Sequence, residues 1–230
     1  MALIGQGVLI IWHGITPEGD LEMIRWHDRE HVAERVGIPG FVRGRRYDDA
    51  DRPREYLDVY ETEGVETVRS AGYVLRLNFP TEWTKRVLPH FRNTVRLGCR
   101  VVLTTGRGQG GGLQTLRARP APGREADLER WLCDTVPTAL LDETGVIGVH
   151  VLSTVPAVTQ VKTAEGKLKG GEVGTGEEPW PWVLLVETGG QGVSEAIAGR
   201  YFKPAALAAH GVAPDAVLLR HRLQLSMDRA

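Results

Sequence analysis

The sequence predicts an α+β fold made of two tandem βαββαβ units, packed sheet to sheet as an intramolecular α/β barrel. Two observations predict it. The order of strand-like and helix-like segments in residues 1–105 is repeated in residues 113–230, and a glycine-rich stretch, 106–112, separates the two halves. A βαββαβ unit leaves one sheet face bare, and two units in one chain can cover each other's bare face.

The first half begins with an apolar, β-rich segment at 8–12. A polar turn follows, and Asp20-Leu21-Glu22 opens a helix that runs to about Val36 and ends at Pro39-Gly40. The remaining elements are predicted as two strands, two helices and a closing strand, at 41–47, 56–61, 64–77, 81–92 and 95–104.

The second half repeats this order. Asp127-Leu128-Glu129 opens its first helix, as Asp20-Leu21-Glu22 does in the first half, and residues 185–188 match 59–62 before a glycine and a helix. This alignment places His27 opposite Asp134 and His31 opposite Thr138. The other predicted elements are four strands and a late helix, at 113–119, 146–152, 182–187, 216–225 and 193–209.

Two polar stretches are interpreted as connections. Residues 106–112 read GRGQGGG, which formally matches a dinucleotide-binding fingerprint, but a strand follows where that motif needs a helix, so the stretch is expected to be a linker. Residues 156–181 are rich in Gly, Lys and Glu and predict a long mobile loop. The alternative is a lid over a pocket, assisted by Trp180 and Trp182.

Composition limits the classes of function. The net charge is −1, which gives no electrostatic reason to expect nucleic acid or an anionic membrane as a partner. No long apolar run predicts a membrane span, and the first residues do not resemble a signal peptide. The two cysteines, Cys99 and Cys133, lack metal-type spacing and suit a cytoplasmic protein.

One segment, residues 25–47, carries the residue types of chemistry. His27 and His31 lie one helical turn apart, and on a helical wheel they share a face with Leu21 and Ile24. We therefore expect both rings to be at least half buried, either as packed core residues or as pocket histidines acting as general acid or base. Asp28 is a candidate partner that would orient a ring.

Metal and cofactor sites have little support. A His-x-x-x-His pair supplies two ligands, which is too few, although His13 or His90 could approach it. We therefore expect no metal and no cofactor.

Aromatic and basic residues on the strands are weaker candidates. Trp12, Tyr47 and Tyr60 could line a cavity between helix and sheet, or could be ordinary core. Alternation puts Arg43 and Arg45 on one sheet face, which leaves an adjacent arginine, Arg46, on the other. No pattern supports serine, cysteine or lysine nucleophiles.

The segment resembles a known family. Its matching residues are Trp26, Glu30, His31, Pro39, Gly40, Phe41, Arg46 and Tyr47. The pattern is similar to EthD-like proteins of the dimeric α/β-barrel (ferredoxin-like) superfamily. That superfamily includes small monooxygenases, haem-dependent enzymes, isomerases and cyclases. The resemblance implies a helix histidine beside a cavity between helix and sheet, which would be His31.

Three functions follow as expectations. The first is an enzyme acting on a small organic molecule, with His31 and His27 as catalytic residues and Trp26, Asp28, Tyr47, Tyr60 and Trp12 binding substrate. The second is a non-catalytic small-molecule-binding protein or an accessory protein of a catabolic cluster. The third is a haem-binding protein, which the superfamily allows. We expect a monomer or homodimer with a small organic molecule as partner.

Overall fold

The structure, a computed structural model, describes residues 3–159, 163–169 and 180–230. The chain forms two compact units. The N-terminal unit comprises Ile4–Arg100, Val155–Pro179 and Gln224–Ala230. The C-terminal unit comprises Met1–Leu3, Val101–Thr154 and Trp180–Leu223. A segment from the second half of the sequence, beginning at Val155, thus belongs to the N-terminal unit.

Eight strands and ten short α-helices are seen in the described residues. The strands are β1 (Gly7–Ile15), β2 (Phe41–Asp49), β3 (Glu55–Thr62), β4 (Phe91–Gly106), β5 (Gly112–Ala118), β6 (Val146–Thr154), β7 (Trp182–Thr188) and β8 (Val217–Asp228). The helices are α1 (Asp20–Trp26), α2 (Val32–Val36), α3 (Ala71–Asn78), α4 (Glu82–Val87), α5 (Glu125–Arg130), α6 (Val136–Leu141), α7 (Pro156–Thr159), α8 (Ala164–Leu168), α9 (Gln191–Tyr201) and α10 (Pro204–Ala209). Short 3₁₀ segments span Val65–Arg69 and Leu88–His90, and π-helical segments span His27–His31 and Trp131–Thr135.

Each unit contains an antiparallel sheet with the same strand order. In the N-terminal unit β1 pairs with β4 and β3, and β3 pairs with β2, which gives the order β4-β1-β3-β2. In the C-terminal unit β5 pairs with β8 and β7, and β7 pairs with β6, which gives β8-β5-β7-β6. The predicted α+β class with antiparallel strands is confirmed.

The strand registers also correspond. Gly7 lies opposite Thr62 in the N-terminal unit, and Gly112 lies opposite Thr188 in the C-terminal unit. At both glycines an added Cβ would meet the threonine Oγ1 at 2.5 Å, so only glycine fits there. These pairs give a residue-by-residue correspondence between the two sheets.

The helix that follows the first strand has the same irregularity in both units. One turn is π-helical: the Val32 N–H bonds to the His27 carbonyl, and the Val136 N–H bonds to the Trp131 carbonyl. Matching these turns aligns His27 with Trp131. The sequence alignment of His27 with Asp134 and of His31 with Thr138 is therefore wrong, because each Asp-Leu-Glu triplet lies at a different distance from its π turn.

Apolar side chains of the helices pack against one face of each sheet. In the N-terminal unit this core includes Met23, Trp26 and Val32, all almost fully buried. Leu21 was expected on the buried face with the histidines, but it is 68% exposed. No helix in the described residues is long and apolar enough to cross a membrane.

The loop predicted at 156–181 differs from expectation where the structure describes it. Pro156–Thr159 and Ala164–Leu168 are short helices, and Val158 is fully buried in the core of the N-terminal unit. Residues 160–162 and 170–179 of that predicted loop lie outside the described residues. The helix predicted at 193–209 is divided into α9 and α10, because Pro204 cannot continue the helix before it.

Gly40, the residue before β2, has a backbone conformation that other residues adopt with strain. Its φ is +92°, and an added Cβ would lie 2.8 Å from the Thr67 Cγ2. We expect Gly40→Ala to lower the free energy of unfolding by about 1–2 kcal/mol, measured by urea denaturation. Gly64→Ala is the control, since no atom lies within 4 Å of its added Cβ. Equal effects of the two substitutions would contradict this assignment.

Candidate functional site

The candidate site is a cluster of buried polar groups in the N-terminal unit. It lies between the sheet and the first helical region, which consists of α1, the π-helical segment His27–His31 and α2. It consists of His13 on β1, Asp58 on β3, and His27 and His31 on the π-helical segment. All four are buried, with His31 the most accessible at 9%. Buried ionisable groups are uncommon in a core unless they are paired, so the cluster needs a reason beyond packing.

Strand geometry brings Asp58 and His13 to the same place. Leu9, His13 and Ile15 are on the helix-facing side of β1, and Tyr56, Asp58 and Tyr60 are on the same side of β3. A bulge between Trp12 and Gly14 interrupts the pairing of β1 with β4 at His13. Bulges re-aim side chains and are frequent beside functional sites.

Asp58 is the centre of the cluster. His13 Nε2 lies 3.2 Å from Asp58 Oδ2, a hydrogen-bond distance, and His27 Nδ1 lies 3.5 Å from Asp58 Oδ1. Burial raises the pKa of Asp58, but the neighbouring His27 and the hydrogen bond with His13 outweigh burial and bring the pKa below its usual value. Asp58 is therefore an ionised carboxylate at neutral pH.

The two helix histidines are stacked. Their ring centroids are 5.1 Å apart with an interplanar angle of 9°. A π turn holds more residues than an α turn, so side chains four positions apart lie close to one full turn from each other. Trp26 packs on His31 with a centroid distance of 4.0 Å. His31 thus lies between an indole and an imidazole.

Both histidines are neutral at physiological pH. Burial lowers the pKa of His27 to about 4, and the Asp58 carboxylate offsets only part of that effect. Burial also lowers the pKa of His31 well below its usual value, assisted by the positive charges of Arg35 and Lys169. A neutral imidazole can accept a proton, which is the first requirement of a general base.

Some buried polar atoms of the cluster have no hydrogen-bond partner within the described part of the chain. They include His31 Nδ1, Tyr60 Oη and Asp58 Oδ1. Tyr60 lies 6.5 Å from His31, ring centroid to centroid. Unsatisfied buried polar groups cost free energy, so a ligand that supplied hydrogen bonds here would be stabilised.

The C-terminal unit provides an internal comparison. By strand register His13 corresponds to Ala118 and Asp58 to Leu184, and the π turns match His27 with Trp131. Ala118, Trp131 and Leu184 all belong to one apolar core cluster. The same architecture therefore folds around an apolar core where the N-terminal unit has ionisable groups.

Two of the predicted site residues lie on the other face of the sheet. Trp12 and Tyr47 both oppose Leu57 on β3, whereas the histidine-facing residues of that strand are Tyr56, Asp58 and Tyr60. The Tyr47 hydroxyl accepts a hydrogen bond from Arg45 at 2.8 Å. The prediction that Trp12 and Tyr47 line a space beside the helix is corrected by this register.

The structure also corrects the expectation that Asp28 orients a histidine ring. Its carboxylate pairs with Arg46 at 2.8 Å, and its side chain is 43% exposed, so it faces away from the stacked rings. Asp58 occupies the position beside His27 for which Asp28 was the candidate. His90, considered as a third ligand, bonds to the Thr16 hydroxyl instead. Among the residues that the structure describes, no group of three or more His, Cys, Asp or Glu side chains could hold a metal ion.

Comparison with known proteins gives a structural result. No protein-family model and no curated protein matches the sequence. An anthrone oxidase-like protein matches with a TM-score of 0.64 and 12% identity over 100% of this chain and 96% of its own. Two provisionally assigned monooxygenases also match. The one from Lactobacillus acidophilus has a TM-score of 0.60 and 8% identity over 97% of each chain. The one from Fusobacterium nucleatum has a TM-score of 0.59 and 10% identity over 99% of this chain and 96% of its own.

The chain shares the ferredoxin-like α+β fold of these proteins. The matches extend over nearly all of both chains, so the likeness to this ferredoxin-like fold includes both units. At such low identity the comparison defines a fold and leaves the activity to the residues of the site.

The lowered pKa of His27 predicts a pH-dependent stability. The unfolded chain binds a proton near pH 6.5 and the folded one only near 4, so the unfolded state binds more protons between these values. The free energy of unfolding should therefore fall as the pH drops below about 6.5, by up to roughly 1.4 kcal/mol per pH unit for such a group.

Urea denaturation between about pH 7.5 and 5.5, where ordinary carboxylates stay ionised, measures this effect. His27→Gln removes the titrating group but keeps a polar side chain, and we expect a shallower dependence on pH. The same slope in both proteins would show that His27 is not a buried neutral histidine.

Proposed function

We propose that this protein is an enzyme that acts on a small, largely apolar organic molecule beside the helical region that carries His27 and His31. The observation that carries the proposal is the buried cluster around Asp58, in which Asp58, His13 and His27 have apolar counterparts in the C-terminal unit. Ionisable groups that the fold does not need for packing are candidates for chemistry.

In this proposal His31 is the general acid and base. Its ring is neutral, and its Nδ1 has no partner among the described residues. It accepts a proton from a weakly acidic C–H or O–H group of the substrate. The products of this step are an imidazolium and an enolate or phenolate, and their opposite charges stabilise each other in a site of low dielectric.

The other residues support His31. Asp58 favours a proton on the facing Nδ1 of His27, which orients the ring that stacks on His31. Trp26 covers the other face of His31. The hydroxyl of Tyr60, which has no hydrogen-bond partner among the described residues, can bind a substrate oxygen. His27 is thus a positioning residue in this proposal.

Several reactions share this first step. Returning the proton to a different atom of the substrate gives an isomerisation or a cyclisation. Reaction of the carbanion with dioxygen converts a methylene group to a carbonyl and releases one water, as in the oxidation of an anthrone. The anthrone oxidase-like and monooxygenase names of the structural neighbours make the second outcome the first to be tested.

We also infer that the two units are copies of one ancestral EthD-like βαββαβ unit. The repeated strand order, the Gly7–Thr62 and Gly112–Thr188 pairs, and the two π turns support a duplication. The Trp26–Glu30 hydrogen bond of 3.1 Å supports the EthD-like motif, since it ties two of its residues together. After duplication only the N-terminal copy would retain the histidines.

A substitution at His31 tests the catalytic role. With anthrone as the probe substrate, and with dioxygen uptake and absorbance as readouts, His31→Gln should lower turnover by about 10²–10⁴-fold, the usual contribution of a general base. His90→Gln, outside the cluster, is the control and should retain activity. If the parent protein turns over anthrone or a related phenol and His31→Gln does so equally well, His31 is not the base.

A non-catalytic small-molecule-binding or accessory protein is the second candidate. The near-complete burial of His27 and the tight Trp26–His31–His27 stack favour it, because they leave little ring surface open to solvent. NMR of the histidine rings distinguishes the two candidates. Anthrone that shifts the His31 signals without turnover would favour a binder, whereas turnover lost in His31→Gln would favour an enzyme.

A further inference from the structure

A segment from the second half of the sequence, Thr163–Lys169, packs onto the N-terminal unit next to the histidines. Glu165 Oε1 accepts a hydrogen bond from Arg35 Nη2 at 2.5 Å, and both side chains are buried. Leu168 packs against the apolar cluster that contains Trp26 and Phe91. A buried ion pair and an apolar contact therefore anchor this segment beside the site.

The anchored segment places the ammonium group of Lys169 over an aromatic ring. Lys169 Nζ lies 5.2 Å from the centroid of Phe91. The Phe91 ring is itself stacked on His13, with centroids 4.3 Å apart. A cation therefore lies at the aromatic side of the cluster, supplied by a part of the chain far away in sequence.

The charge of Lys169 is not neutralised by its own segment. The one carboxylate within Thr163–Lys169 belongs to Glu165, which pairs with Arg35. Burial lowers the pKa of Lys169 to about 8, so the group remains mainly protonated at neutral pH although its charged form is disfavoured. The positive charges of Lys169 and Arg35 in turn act on His31. An anionic oxygen bound between Lys169 and His31 would relieve both effects.

We infer that Lys169 binds the anionic oxygen of the substrate, and that the substrate class is therefore aromatic phenols and enols. The inference rests on the proposed function and deepens it, because proton transfer to His31 creates the oxyanion that Lys169 holds. Trp26 and Phe91 supply aromatic surfaces for a flat ring. The other ionisable groups that act on Lys169 or His31 are Arg35, Arg96, Glu165, Asp58, His13 and His27.

A charged and an uncharged version of one probe test this inference. 2,4-Dinitrophenol is ionised at neutral pH, and 2,4-dinitroanisole is its uncharged methyl ether. Equilibrium dialysis with the full chain should show the phenolate bound at least about tenfold more tightly than the ether. Lys169→Met should reduce that preference by about fivefold or more, because it removes the charge and retains an apolar stem.

Lys167→Met is the matched control, since Lys167 is exposed on the same segment. It should leave the preference unchanged. An unchanged preference in Lys169→Met, an equal loss in both variants, or the absence of any preference in the parent protein would each overturn the role of Lys169. The proposed function fails separately, when His31→Gln retains full turnover.

Discussion

The polar centre of the N-terminal unit depends on one interaction, the sharing of the Asp58 carboxylate between His13 and His27. A lone buried carboxylate is costly, so its ionised form persists only where neighbouring groups bind or attract it. Removing His13 would take away the hydrogen bond to this carboxylate, and removing His27 would take away its second close polar neighbour. Asp58 therefore constrains the orientation of both rings, and through the His27 stack it constrains His31.

The C-terminal unit explains why this cluster indicates function. It has the same strand order and the same π turn, but Ala118, Trp131 and Leu184 occupy the corresponding core positions. The π turn thus belongs to the architecture, whereas His13, His27 and Asp58 have apolar counterparts in the other unit. The segment Thr163–Lys169, which comes from the second half of the sequence, also belongs to the N-terminal unit.

Much of this architecture could be predicted from the sequence. Periodicity and turn residues located the strands and the first helical region, and the spacing of His27 and His31 predicted that they share a buried face. The alternation of Tyr56, Asp58 and Tyr60 also carried the signal that an acidic side chain points inward. Proximity in sequence instead favours Asp28, which lies between the two histidines.

Other features of the site depend on three-dimensional contacts that the sequence does not reveal. A π turn has no clear sequence pattern, and it turns Asp28 outward towards Arg46. The side on which Tyr47 lies depends on strand register, which a bulge between Phe41 and Arg43 shifts in the pair β2–β3. The face of Trp12 is defined by its pairing with Leu57. The docking of Glu165 on Arg35 is a contact between residues 130 positions apart, which no local pattern encodes.

The ring nitrogens of His27 test the central interaction most directly. Two-dimensional ¹H–¹⁵N NMR of the imidazole rings, recorded as the pH is lowered from neutrality, reports both protonation and tautomer. A carboxylate facing Nδ1 predicts a neutral ring with its proton on Nδ1 that becomes charged only near a pKa of about 4. A His27 ring that titrates near its ordinary value, or that carries its proton on Nε2 while neutral, would contradict the central role of Asp58.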